Sequence, residues 1–192
     1  MKTVAFVPIK MNSQRLPHKN ILPLGNRALC WYIFDVLLNV KEIDEVYVYC
    51  SDDRIVEYIP QNVIYKSFID EVDADVYILA HATSPFIKSE TIHNALSNVL
   101  YNGNDSAFSA QRIQTFSWFK GKPLNYEFED VPRTQDIEPV LVETSAFYIF
   151  KKEVFKEHKR RIGFTPYIQE VDDVEAIDID EKKDYDLACK IM

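Results

Sequence analysis

Residues 3–20, TVAFVPIKMNSQRLPHKN, decide how the rest of the chain is read. Thr3–Val7 is a continuous apolar, β-branched run. The chain then enters a loop carrying Lys10, Arg15 and Lys19, with Asn12, Ser13 and Asn20 between them. Continuous rather than alternating apolarity marks a strand buried on both faces, as strands of a parallel sheet are. Two later runs share the pattern, Glu45–Cys50 (EVYVYC) and Asp75–Ala80 (DVYILA). Helical patterns lie between and after them. Leu29–Leu38 is almost wholly apolar, and Ser89–Tyr101 places Ile92, Ala95, Leu96, Val99 and Leu100 at helical spacing. Ser89 is the expected N-cap of the second helix, with Glu90 in its first turn. Strands alternating with helices predict an α/β fold with a mostly parallel sheet.

Residues 111–139 break the alternation. The stretch is aromatic, polar and rich in turn residues, and it predicts an excursion built on a β-hairpin around Gly121. The pattern then resumes: a strand Val140–Phe150, a helix Lys151–Lys159, a strand Val174–Ile179 and a helix Glu181–Met192. There are no repeats, and residues 1–192 are read as a single domain.

Composition narrows the function. The chain has 22 Lys+Arg against 30 Asp+Glu and a net charge of -8. A nucleic-acid partner is not expected, because it requires a basic face. A small anionic ligand needs only a local basic cluster. Hydrophobic residues make up 47% of the chain, enough for a core, and no run approaches the roughly 18 apolar residues of a membrane span. No membrane partner is therefore expected, and a cytoplasmic location is. Cys30, Cys50 and Cys189 lie in apolar surroundings with no CxxC pair and are read as buried free thiols. Only four glycines are present, so neither a GxGxxG fingerprint nor a Walker loop can be written.

Several constellations could carry chemistry. Lys10, Arg15 and Lys19 follow the first strand, and ligands of α/β sheets bind beyond the carboxyl ends of strands. Cations with turn-forming Asn and Ser suit a polyphosphate, although a solvated basic turn is the plainer alternative. In IDID, Ile177–Asp180, the two carboxylates of a strand would face one way and repel unless a cation such as Mg²⁺ sits between them. Alternatively, Asp180 caps the last helix and Asp178 is solvated. HATSPF, His81–Phe86, follows an apolar strand and offers His81, Thr83 and Ser84, or simply a turn. The other histidines form no zinc spacing with His81. Arg133 and Gln135 could hold a carboxylate or sugar hydroxyls, and Glu143 lies within an apolar strand, where a buried acid needs a partner. Phe116, Trp118, Phe119, Tyr126 and Phe128 fit a protein interface better than a base-stacking platform, given the acids among them.

In this order, VPIKMNSQRLPHKNILPLGNRAL, CSDDRI, HATSPF, RTQD with VETSAFYIF, and IDIDEKKDYDLA resemble the acylneuraminate cytidylyltransferases over nearly the whole chain. The resemblance implies a Rossmann-like nucleotidyltransferase fold, Mg²⁺ dependence and a homodimer whose excursion reaches the partner's site. It also implies transfer of CMP from CTP to a 2-keto-3-deoxy sugar acid, with release of pyrophosphate. By resemblance, Lys10, Arg15 and Lys19 hold the triphosphate, and Asp178 and Asp180 hold Mg²⁺. Asn12, Ser13, Asn20 and Thr83 meet the nucleotide. His81, Ser84, Arg133, Gln135 and Glu143 line the sugar pocket, which Thr83 borders. The family often has Arg at Lys10, Gly or Lys at Met11 and Gln14, Gln at His81, and Asn-Gly at Thr144–Ser145. The resemblance also implies an Arg-Pro-containing loop and a helix between Asp53 and Ala74, for which the residues present leave little room: either the chain is a shortened, inactive homologue or, the favoured reading, a longer connection is expected there. The alternatives are CMP transfer to 3-deoxy-manno-octulosonate or another acidic sugar, and a non-catalytic nucleotide-binding homologue.

Overall fold

In the computed structural model, residues 1–66 and 72–192 are described. The strands are β1 (Thr3–Pro8), β2 (Pro23–Leu24), β3 (Arg27–Ala28), β4 (Glu45–Tyr49), β5 (Ile64–Lys66), β6 (Val76–Ala80), β7 (Ser106–Ile113), β8 (Trp118–Phe119), β9 (Lys122–Pro123), β10 (Val140–Lys151) and β11 (Pro166–Val171). The α-helices are α1 (Leu29–Leu38), α2 (Ser89–Tyr101), α3 (Lys152–His158) and α4 (Lys182–Ile191). Seven strands form one sheet in the order β11-β7-β10-β6-β1-β4-β5. Every pairing is parallel except the two made by β10, which runs against β6 and β7. The α/β fold with a mostly parallel sheet is therefore as the sequence predicts.

The core explains the apolar runs. Ala5 and Val7 of β1, Val46 and Val48 of β4, and Val76 and Ile78 of β6 meet Ile33, Phe34 and Leu37 of α1 and Ile92, Leu96 and Val99 of α2 on one face. Phe108, Ala110, Tyr148 and Phe150 meet Val154 of α3 on the other, where Phe6, Tyr77 and Leu79 are only partly covered. A third cluster joins Leu16, Leu24 and Leu29 to Ile179 and to Ala188 of α4. This cluster brings the IDID segment against the loop that leaves β1.

Several expectations need correction. Val174–Ile179 is not a strand. Asp172 Oδ1 accepts hydrogen bonds from the Val174 and Glu175 backbone N–H groups at 3.0 and 2.8 Å, and that Asx turn takes the backbone away from a ladder. The strand in this region is β11, whose Gln169 and Glu170 break its apolar pattern. Ser89 is the first residue of α2 rather than its cap. Lys88 stands at the N-cap without a side-chain cap, and Glu175 braces this end of the helix by accepting from Thr91 Oγ1 at 2.6 Å and from the Lys88 backbone N–H at 3.0 Å. A buried carboxylate so paired contributes about 1–3 kcal/mol relative to a truncated side chain. Cys189 is exposed, whereas Cys30 and Cys50 are buried. Burial pushes the Cys30 thiol up to about 12, which leaves it unreactive.

The excursion leaves the sheet after Ile113 and returns at Val140. Its β8–β9 hairpin turns through Lys120 and Gly121 at φ 51° and 78°, the left-handed pair that a two-residue hairpin turn requires. Between Asp53 and Ala74, a 3₁₀ turn over Asp53–Tyr58 leads to the short edge strand β5. No α-helix occurs there among the described residues, and residues 67–71 of the expected connection lie outside them. Among the described residues, no helix is long and apolar enough to cross a membrane.

Candidate active site

The loop after β1 folds back on itself before entering the helical layer. Asn20 Nδ2 donates to the Lys10 carbonyl at 2.9 Å, closing the basic loop at its base. Lys19 is 9% exposed, and its ammonium does not reach bulk water freely. Its Nζ donates to Asp180 Oδ1 at 2.9 Å, and Arg15 meets Asp180 Oδ2 at 2.8 Å. Lys10, Asn12 and Arg15 are exposed on the same loop, with Ser13 half-buried. Burial raises the affinity of Asp180 for a proton, but Lys19 and Arg15 outweigh it and hold the carboxyl below its ordinary value.

Asp178 differs. The Ile179 backbone N–H donates to the Thr83 carbonyl at 2.8 Å and sends the Ile179 side chain into the α4 cluster, so the flanking acids stay together although the segment forms no ladder. Asp178 Oδ1 is buried and has no hydrogen-bond partner. Burial pushes this carboxyl up and the neighbouring Asp180 adds to the rise, against the opposing pull of a Thr83 hydrogen bond, Lys19 and His81. One acid of the pair is thus held charged by two cations, and the other is left desolvated with a free oxygen. The capping box of α4 keeps the segment in place, with Asp184 Oδ2 accepting from the Asp180 and Glu181 backbone N–H groups at 3.1 and 2.8 Å.

His81 ends β6 beside β10. Its backbone N–H donates to the Ala146 carbonyl at 2.9 Å, and its ring stands edge-on to Tyr148 with centroids 6.4 Å apart. Burial pushes the imidazole down, while the Ser145 backbone and Asp178 pull it up. At this point β10 bulges between Glu143 and Tyr148, with Ser145 at φ 60°. The Asn-Gly usual in the family would meet that left-handed position without a Cβ. Thr144 Oγ1 instead ties the bulge to Ser109 Oγ at 2.8 Å. Tyr148 donates to Glu143 Oε2 at 2.8 Å, the partner that Glu143 was expected to need, although Glu143 itself is exposed rather than buried. Ser84 is buried beside His81.

Arg133 and Gln135 are not brought to this cluster by any contact. Arg133 Nε pairs with Asp136 at 2.6 Å, and the Gln135 carbonyl accepts from Gln114, all within the excursion. Two residues absent from the sequence reading belong beside His81. One is Tyr148. The other is Arg161, whose guanidinium carbon lies 3.9 Å from the centre of the Tyr148 ring. A single arginine inside the basic run KEHKRR gives no sequence signal of its own.

Residues 4–69, which include β1 and the basic loop, match the cytidylyltransferase family. The chain is 24% identical over 211 residues to a Helicobacter pylori protein described as a pseudaminic acid cytidylyltransferase and UDP-2,4-diacetamido-2,4,6-trideoxy-beta-L-altropyranose hydrolase, with 93% of this chain and 40% of that protein covered. It is 22% identical to the N-acylneuraminate cytidylyltransferase of Streptococcus agalactiae serotype III, covering 96% of this chain and 52% of that one. The chain is thus similar to the pseudaminic acid and N-acylneuraminate cytidylyltransferases over nearly its whole length. It spans about half or less of the length of these two cytidylyltransferases. The first alignment runs over more positions than the chain's 192 residues, so that cytidylyltransferase carries residues this chain lacks within the matched region. Among solved structures, a CMP:2-keto-3-deoxy-manno-octonic acid synthetase complexed with CTP shares the fold at TM-score 0.76 and 16% identity, covering 100% of this chain and 98% of that one.

Proposed function

We propose that the chain transfers CMP from CTP to the anomeric hydroxyl of a sialic-acid-like 2-keto-3-deoxy sugar acid and releases pyrophosphate. The observation that carries this reading is the split acid pair beside the loop that leaves β1: Asp180 saturated by Lys19 and Arg15, and Asp178 with a buried, unpartnered oxygen. In this reaction the sugar hydroxyl oxygen bonds to the α-phosphorus, the bond from that phosphorus to the pyrophosphate oxygen breaks, and the hydroxyl proton is released. Such chemistry needs charge neutralisation and in-line placement more than covalent catalysis. Lys10, Arg15 and Lys19 would engage the triphosphate, drawing Arg15 away from Asp180 as the phosphates arrive. Asn12, Ser13 and Asn20 border the nucleotide, and Thr83 orients Asp178.

The donor set fits Mg²⁺. The ion takes one or two carboxylates and completes its shell with water and substrate phosphates, and Asp178 offers an oxygen that no protein group satisfies. When bound, the ion would neutralise charge on the α-phosphate.

His81, Ser84, Glu143 and Tyr148 would form the near wall of the sugar pocket. Arg133 and Gln135 lie on the excursion, whose exposed Trp118, Phe119 and Phe128 suit burial against a second copy, and would serve the site across a homodimer. A cytoplasmic location, where CTP is supplied, is part of this reading.

Pyrophosphate release is the test, measured with CTP, Mg²⁺ and a panel of N-acetylneuraminate, other nonulosonates and 3-deoxy-manno-octulosonate. Release with one nonulosonate well above the rest is expected. Release with octulosonate alone would shift the assignment to that acceptor. No release with any acid, alongside measurable CTP binding, would leave a non-catalytic nucleotide-binding homologue.

A further inference from the structure

Asp180 is fully engaged before any substrate arrives. Lys19 Nζ meets its Oδ1 at 2.9 Å and Arg15 meets its Oδ2 at 2.8 Å, one cation to each oxygen. Asp178 is the reverse case, with a buried oxygen that no group satisfies. A dication entering between the two acids would find one open oxygen, and beside it a carboxylate already neutralised by two positive charges. Mg²⁺ gives up its water reluctantly, so this half-closed pair is a poor site for the ion alone. One unit charge a few ångströms from a dication, at a partly exposed position, changes the affinity for it on the order of ten-fold.

The two cations are not equally committed to Asp180. The Lys19 side chain is 11% exposed, and the loop around it is closed by the Asn20 hydrogen bond to the Lys10 carbonyl. An ammonium has three donors, so Lys19 keeps Asp180 while meeting a phosphate. The Arg15 side chain is 64% exposed and has no second ion-pair partner among the described residues. An ion pair so exposed is weak and exchangeable, and a guanidinium forks onto phosphate as readily as onto carboxylate.

The surrounding backbone is anchored, so the exchange is a side-chain movement. Met11 is buried in the main core and Leu16 in the α4 cluster, one on each side of the loop stretch that carries Arg15. Asp184 Oδ2 accepts from the Asp180 backbone N–H at 3.1 Å and holds the acid where it is. When the pair parts, the guanidinium is the member that moves.

We propose that Arg15 is a latch on Asp180 that a triphosphate releases, so that metal and nucleotide load the site together and the metal alone does not. The latch rests on the transfer reaction proposed above in one respect, that a triphosphate is the anion that draws Arg15 away. By linkage, whatever frees Asp180 tightens the metal, and whatever frees Arg15 tightens the nucleotide. The experiment is calorimetric titration of the full chain with Mg²⁺ alone, and separately with CTP in excess chelator. Arg15→Gln is expected to bind Mg²⁺ alone about ten-fold more tightly than wild type, and CTP alone about ten-fold less tightly. Arg15→Lys keeps the charge and should bind Mg²⁺ alone as weakly as wild type. Adding Asp178→Asn to Arg15→Gln should abolish the gain, which assigns it to the acid pair. Thermal melts establish that each variant is folded, and Arg15→Ala repeats the titrations if Arg15→Gln is not. Binding of Mg²⁺ alone by Arg15→Gln that is no tighter than wild type overturns the latch, as does a gain that survives Asp178→Asn or an unchanged affinity for CTP. Each of those results leaves pyrophosphate release with a sugar acid standing. The expected titrations with no release for any acid would instead remove the transfer reaction and keep the latch.

Discussion

Asp178→Asn is expected to lower CMP transfer by roughly a hundred- to a thousand-fold while leaving the folded protein as stable as the parent, or more so, at pH 7. The two effects have one origin. The Asp178 carboxylate is desolvated, stands beside Asp180 and keeps one oxygen without a partner. Its folded-state proton affinity is raised, so the folded protein binds more protons than the unfolded chain between the ordinary carboxylate value and the raised one. Stability therefore falls as pH rises through that window, and the neutral amide removes the fall. Asp180→Asn should behave in the opposite sense. The Asp180 carboxyl is held low by Lys19 and Arg15, so it stabilises above the ordinary carboxylate value and loses that contribution as pH falls through the lowered one. Its removal also strands the nearly buried Lys19 ammonium. Steady-state turnover with thermal melts of the metal-free proteins at pH 7 and pH 4 checks both. Wild-type turnover by Asp178→Asn would remove that residue from the reaction.

Phe147→Ala should cost about 3–5 kcal/mol. Phe147 is fully buried in β10, opposite Ala80 of β6, and belongs to the face that meets α1 and α2. Deleting the ring leaves a cavity in the strand that joins the two halves of the sheet. In a chain of this size the melting temperature should drop by about 10 °C. Phe128→Ala, on the excursion and 62% exposed, should move stability by no more than about 0.5 kcal/mol in the monomer. Urea unfolding of the two variants side by side separates core from surface, and a loss under about 1 kcal/mol for Phe147→Ala would contradict the packing described.

What the sequence disclosed follows from how each segment is stabilised. β1, β4 and β6 were legible because they carry almost nothing but apolar and aromatic residues, although only one face is fully buried and the other is partly covered. β7 was not, because its serines are satisfied inside the fold: Ser106 Oγ accepts from the Gly163 N–H, and Ser109 Oγ from Thr144 and the Phe147 N–H; β11 was hidden by Gln169 and Glu170, which interrupt its apolar run. Val174–Ile179 misled for the converse reason, since its apolar residues sit beyond an aspartate-closed turn that sequence periodicity does not register. In the candidate site, Lys19 was legible as a cation after the first strand, and the two aspartates as a pair of acids on one side of a strand, which does not form although the acids stay together. That Asp180 is ion-paired and Asp178 is not depends on a contact across 161 residues, which no local pattern encodes. Arg161 escaped notice because its place over the Tyr148 ring comes from packing between distant segments, which no local pattern encodes.

The aromatic excursion gives the molecule an optical division of labour. The chain has two tryptophans: Trp31 is half-buried in α1, and Trp118 stands 55% exposed on the hairpin, edge-on to Tyr126 and Phe128. An indole in water emits at longer wavelength than one in an apolar contact. A concentration series read by tryptophan emission should therefore shift to the blue as a second copy covers the excursion, and a Trp118→Phe variant should lose the shift. The hairpin that leaves apolar surface in water thus also reports when that surface is covered.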